Sequence, residues 1–280
     1  MTMPQFAVSS AVAASTAAVP LPATEAVSGW AMLLPLGDPV IMMFVMAIFL
    51  VAGFIKGFLG IGLPAAAVAL LTLLMAPAQA IALMPLPIIA TNFVQFVTAK
   101  NRLETARRYW LCALFIIISL FFTSSFLNSY PTALLVVAIG GAMVVFALTS
   151  LFGFSLVIGP SRLWQVVFGI ISGVLGGLSS IWSPTVTMFL LARRVEKEDF
   201  IAATGFLFLS GSFPLIGGLI IAEVLTLEAA LQSLVGLCCA MIGFRLGAVM
   251  RGRVGQALFR RIVLWVFLIM GTRLIINGLF

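Results

Sequence analysis

Apolar runs of near-membrane length recur from Pro39 to the end of the chain, and no other feature narrows the fold so far. About 20 helical residues at a rise of ~1.5 Å each match the ~30 Å hydrocarbon core of a bilayer. Only 8% of the residues are charged. Soluble domains carry roughly 25%, so this chain lacks the side chains to cover a water-facing surface. The fold class is therefore an all-α polytopic membrane protein. A secreted protein, a cytosolic enzyme and a nucleic-acid binder are excluded. The net charge of +7 is assigned to basic loops that orient spans. Cys112, Cys238 and Cys239 lie inside apolar helices without polar neighbours and read as packing residues, not disulfides or metal ligands.

Residues 1–37 are rich in Ala, Ser, Thr and Pro, with Glu25 as their single charge. They lack the basic start of a signal peptide and are expected to be a mobile, uncleaved tail. Hydropathy predicts a helix over 39–59, a glycine-rich break, a short piece over 64–75, and spans near 79–98, 107–127 and 131–152. After a linker at 153–161 come 162–178, a second break, a short piece over 184–192, and spans near 199–222, 228–248 and 258–279.

The two halves share one order of elements. Gly53, Gly57 and Gly60 recur 116 residues on as Gly169, Gly173 and Gly176. Each glycine helix is followed by a break, a proline (Pro64 or Pro184), a short apolar piece and three long spans. This predicts a duplication, with repeats at 38–152 and 162–280. Lys100, Arg102, Arg107 and Arg108 form one basic cluster; Arg193, Arg194 and Lys197 form a second; Arg251, Arg253, Arg260 and Arg261 form a third. Placing all three inside puts the Glu223–Glu228 loop, the Asn128–Tyr130 turn and both termini outside. The repeats then have inverted topology, each a broken or re-entrant hairpin plus three transmembrane helices, as in many secondary transporters that rock one repeat against the other.

A 12-residue piece reaches only about 18 Å, so each break must lie within the membrane, buried by protein or lining a cavity. Tips at Gly60–Leu63 and Gly177–Ser183 are expected to meet near the midplane. Pro64 and Pro184 mark helix starts, whose free N–H groups favour an anion. Gly60, Gly62, Gly177, Ser179, Ser180, Trp182, Ser183 and Thr185 surround these starts. They serve either as turn-capping residues or as an anion site. Lys56 sits one turn before the first tip. A cation in the membrane interior costs roughly 2.5–3.5 kcal/mol and reads as functional, with snorkelling to the rim as the alternative. Its counterpart in the other half is Ser172.

Thr91, Asn92 and Gln95 interrupt one apolar span and either line a pocket or tie helices together. Thr204, Ser210 and Ser212 are the weaker equivalents, and Arg245 and Arg273 read as snorkelling side chains. Gly53/Gly57 and Gly169/Gly173 have the spacing of close helix packing. All eight carboxylates map to loops, span ends or the tail, and histidine is absent, so no side chain suits a buried proton relay. No phosphate loop or metal constellation is visible, and no cofactor is expected.

Gly53-Phe-Ile-Lys56-Gly57-Phe-Leu-Gly60-Ile-Gly62-Leu-Pro64 and its echo Gly169-Ile-Ile-Ser172-Gly173-Val-Leu-Gly176-Gly177 resemble the sulfite exporter TauE/SafE family. The resemblance covers about residues 40–279 and includes Gly243-x-x-x-Gly247 with its following basic loop. Where that family has consecutive glycines after Gly60, this chain has Ile61-Gly62-Leu63-Pro64. The resemblance implies a transporter of sulfur-containing anions (sulfite, sulfonates or sulfoacetate) in a bacterial inner membrane. The residues themselves point to an anion and leave the sulfur open. An anion channel of the same fold and a non-transporting scaffold remain as alternatives, and homo-oligomerisation is left open.

Overall fold

Proline writes the first four helix starts among the described residues. A computed structural model describes residues 39–152, 158–159, 161–250 and 256–279. The expected tail, most of the expected linker and the loop residues Arg251 and Arg253 lie outside them. Pro39 opens α1 (Pro39–Leu59), Pro64 lies in the first turn of α2 (Leu63–Leu71), and Pro77 and Pro85 open α3 (Pro77–Ala82) and α4 (Pro85–Thr98). A missing N–H costs nothing at these positions, because the first helical donors have no partner within the helix. Then come α5 (Arg102–Ser125), a single 3-10 turn, α6 (Thr132–Phe152), α7 (Arg162–Ser179) and α8 (Ser183–Ala192). The chain ends with α9 (Lys197–Ile221), α10 (Leu227–Met250) and α11 (Gln256–Leu279). Among the described residues, eight stretches are long and apolar enough to cross a membrane, α3 and α4 together forming one of them.

Four boundaries differ from those predicted, the first being that α2 ends at Leu71 rather than at 75. The span near 79–98 is interrupted at Leu83–Met84, because Pro85 and Pro87 cannot donate and the Pro85 ring crowds the preceding turn. Ser233 of α10 patches this gap. Its hydroxyl donates to the Leu83 carbonyl at 3.0 Å and accepts from the Leu86 N–H at 3.3 Å. Helix α5 begins at Arg102 rather than near 107, its guanidinium donating back to the Val97 carbonyl. Helix α7 continues through Gly177 to Ser179, which confines the second break to Ser180–Trp182. Gly177 is therefore a packing residue: a Cβ there would run into Thr123 and Ser124 of α5.

Close packing is concentrated in seams that join one half of the chain to the other. The most extensive contacts pair α1 with α10, α5 with α7, α6 with α11 and α5 with α9. In the first seam Gly53 and Gly57 lie against the backbone of Ala240 and Phe244, while Gly243 and Gly247 lie against that of Leu50 and Phe54. In the second, Gly169 and Gly173 approach Cys112 and Ile116. Bare Cα atoms let the backbones approach within van der Waals contact, the main source of cohesion where lipid is as apolar as the side chains. Between the halves, Ile158 donates its N–H to the Ala192 carbonyl at 3.2 Å.

Candidate functional site

The first break is built from glycine geometry. Gly60 and Gly62 have φ of 87° and 101°, a region that L side chains rarely enter. Gly60 N–H closes α1 on the Lys56 carbonyl at 2.7 Å, and Ala66 N–H bonds the Gly62 carbonyl at 3.0 Å to begin α2. No side chain caps this start. The second break uses Ser180 at φ 57°, whose N–H closes α7 on Gly176 at 2.7 Å. Ser179 stabilises the turn, donating to the Leu175 carbonyl at 2.6 Å and accepting from Ile181 N–H at 3.1 Å. Helix α8 likewise starts without a side-chain cap.

Lys56, in the last turn of α1, is 2% exposed and is the sole charged side chain among the buried described residues. Its ammonium donates to the Asn92 amide oxygen on α4 and lies 5.9 Å from the centre of the Phe208 ring on α9. Both partners are neutral. A hydrogen bond to a charged group contributes roughly 1.5–3 kcal/mol, which offsets much of the cost of placing the cation there. Phe208 also meets the edge of Trp182, ring centres 6.2 Å apart at 83°. The Phe208 ring is thus the link between the lysine before the first break and the tryptophan of the second.

Trp182 is wedged where a Cβ on Gly176 or Gly211 would come within 3.0 or 3.2 Å of neighbouring heavy atoms, its own ring among them. It is buried, yet its indole Nε1 has no partner. The hydroxyls of Ser180 and Ser183 are buried without partners too, as are those of Ser172 and Thr187. Buried polar groups are almost always satisfied, so this grouping around one helix start is unusual.

The remaining expected site residues divide by role. Gln95 donates to Thr204 Oγ1 at 2.9 Å and to the Ile201 carbonyl at 3.2 Å, joining α4 to α9 and leaving its own Oε1 unpartnered. Thr91 bonds back to the Pro87 carbonyl at 2.6 Å, and Ser210 and Ser212 bond to their own helix at Phe206 and Phe208. Pro64 and Thr185 are in the first turns of α2 and α8. Phe208, Ser172, Thr187 and Ser233 were not among the expected residues. Ser172 was marked as the counterpart of Lys56, and Thr187 lies one turn beyond Ser183, so both left a trace in the sequence.

The convergent groups here are donors: an ammonium, an indole N–H, hydroxyls and free amides at a helix start. No carboxylate or imidazole stands among them, and donors at a helix start suit holding an anion. Among the described residues, no three His, Cys, Asp or Glu are placed to share a metal ion. Residues 45–274 match the family described as sulfite exporter TauE/SafE. No curated protein and no solved structure matches the chain.

Proposed function

The chain belongs to the sulfite exporter TauE/SafE family, a family of membrane transporters rather than enzymes, and from that premise we propose that it carries a small sulfur-containing anion, a sulfonate, sulfoacetate or sulfite, across the bacterial inner membrane. The anion is held at the start of α8 by Ser180, Trp182 and Ser183, with Lys56 supplying the countercharge across Phe208. One observation carries this reading: three buried donors without partners belong to the turn that starts α8, and the Phe208 ring links Trp182 there to Lys56, the one buried cation among the described residues. Gly60, Gly62, Pro64, Thr91, Asn92 and Gln95 shape the first break and the lysine's surroundings; Thr185 and Ser210 extend the site along α8 and α9.

The duplication is supported by packing. Exchanging α1–α6 for α7–α11 in order, with α3 and α4 counted together, carries α1·α10 onto α7·α5, α1·α2 onto α7·α8 and α4·α10 onto α9·α5. It leaves α6·α11 and α4·α9 unchanged. With the basic loops inside, the units 38–152 and 162–280 run in opposite senses, and both termini fall outside. Because every major seam joins the two halves, neither repeat rocks as one body. We assign the alternating motion to the α1–α10 seam against the α5–α7 seam, about the line from Lys56 through Phe208 to Trp182.

Purified protein in liposomes tests the proposal. Saturable counterflow of benzenesulfonate, methanesulfonate or sulfite, weakened in Lys56→Gln and Ser183→Ala, is the expected result. Flux linear in concentration would make the protein a channel. No flux, together with no anion-dependent thermal stabilisation, would overturn the reading.

A further inference from the structure

A cavity of about 560 Å³ lies between the end of α6, the start of α11 and α8, reaching the first break at Leu59 and Ile61. That is the size range of small-molecule sites, roughly 300–1,000 Å³. Its wall is mostly apolar, with Phe146 of α6, Leu264 of α11 and Leu191 of α8 among the lining side chains. Three polar side chains, Ser150, Thr187 and Arg260, break that wall. Arg260 sits exposed at the rim, its guanidinium donating to the Ser150 carbonyl at 3.4 Å. Thr187 is only 6% exposed, and its hydroxyl has no partner. Thr187 follows Ser183 by four residues, so the two unpartnered hydroxyls share one face of α8 and lead from the cavity to the second break.

We propose that this cavity is a second station, on the side of the basic loops, for an organic anion with a short apolar body, such as an alkyl or aryl sulfonate. The charged group rests at Arg260, the carbon body lies on Leu59, Ile61 and Phe146, and Thr187 and Ser183 receive the charged group on its way inward. A bare inorganic anion leaves most of that wall unused. The role as a way-station rests on the transport reading above; the fit of the cavity to such an anion does not.

The test uses the full chain with Cys238→Ser, which removes the one exposed cysteine, and a reporter at Thr187→Cys or, at the rim, Ser150→Cys. Either reporter is treated with anionic sulfonatoethyl methanethiosulfonate or its cationic trimethylammonium counterpart, with rates normalised to a free thiol. The anionic reagent is expected to react roughly fivefold faster or more, a preference lost in Arg260→Gln and kept in Arg260→Lys. Benzenesulfonate is expected to slow the reaction more than sulfate, an inorganic anion that does not react with the reagent. Equal rates with and without Arg260, or no protection at either reporter, overturn the proposal. Protection without liposome flux would remove the transport reading and leave the site; flux without protection would do the reverse.

Discussion

The ammonium of Lys56 donates to the amide oxygen of Asn92, joining the end of α1 to the middle of α4 inside the helix bundle. A buried cation held only by neutral partners is a poor stabilising device. It is a good receptor for an anion, since the incoming charge gains the full attraction without displacing a carboxylate.

Stability and binding should therefore separate at this pair. Lys56→Met removes a costly charge and is expected to leave the melting temperature unchanged or raised while abolishing anion-dependent stabilisation. Asn92→Leu strands the lysine and is expected to lose about 1.5–3 kcal/mol. Thermal denaturation with and without 10-fold excess of benzenesulfonate over its Kd reads both, and a fall in stability for Lys56→Met would contradict the account.

Ser183 offers a similar contrast at the other break. Its hydroxyl is buried without a partner, so Ser183→Ala sacrifices no internal bond and the empty protein should be as stable as before. Affinity for the anion should drop by roughly 10-fold or more, the loss of one hydrogen bond to a charged ligand. Titration calorimetry beside a melting curve distinguishes this from a structural role, which would lower both together.

The glycine seams make a prediction about packing alone. At Gly57 a Cβ would collide with the backbone of Phe244, whereas at Gly141 nothing lies within 4 Å. Gly57→Ala is expected to destabilise by about 1–3 kcal/mol through overpacking. Gly141→Ala should be neutral or gain up to ~1 kcal/mol from helix propensity. Equal melting temperatures for the two variants would count against the seam.

Ser233 can be probed without touching the anion site. Ser233→Ala leaves the Leu83 carbonyl and the Leu86 N–H without their partner in the interrupted span, at a cost of about 1–3 kcal/mol. Ser233→Thr keeps the hydroxyl and should recover part of the loss. Anion affinity measured by calorimetry should stay within about twofold in both, because Ser233 lies on α10, apart from either break.

Much of this was legible in the amino-acid order because lipid imposes simple length and composition rules. The spans, the two breaks, the helix-opening prolines and the anomalous Lys56 all follow from them. The interruption at Leu83 was overlooked although Pro85 and Pro87 announce it, since an unbroken apolar run outweighed them. Gly177 was placed in the second break because a glycine reads as flexible; only the approach of Thr123 shows why the helix continues through it. Phe208 was not distinguishable in principle. It is one of 24 phenylalanines, and its position between Lys56 and Trp182 is a property of three helices brought together. The oxygen that holds Lys56 was foreseen as a pocket residue, but the pairing across α1 and α4 was not.

The crossing of seams between halves has a bearing on how the protein is made. Helix α1 is synthesised before its glycine-matched partner α10, with α2 to α9 between them. Until then the bare strip through Gly53 and Gly57 has only lipid, or the insertion machinery, to cover it. Biogenesis of this chain is therefore a waiting process, in which α1 is fitted into place only after α10 has been made.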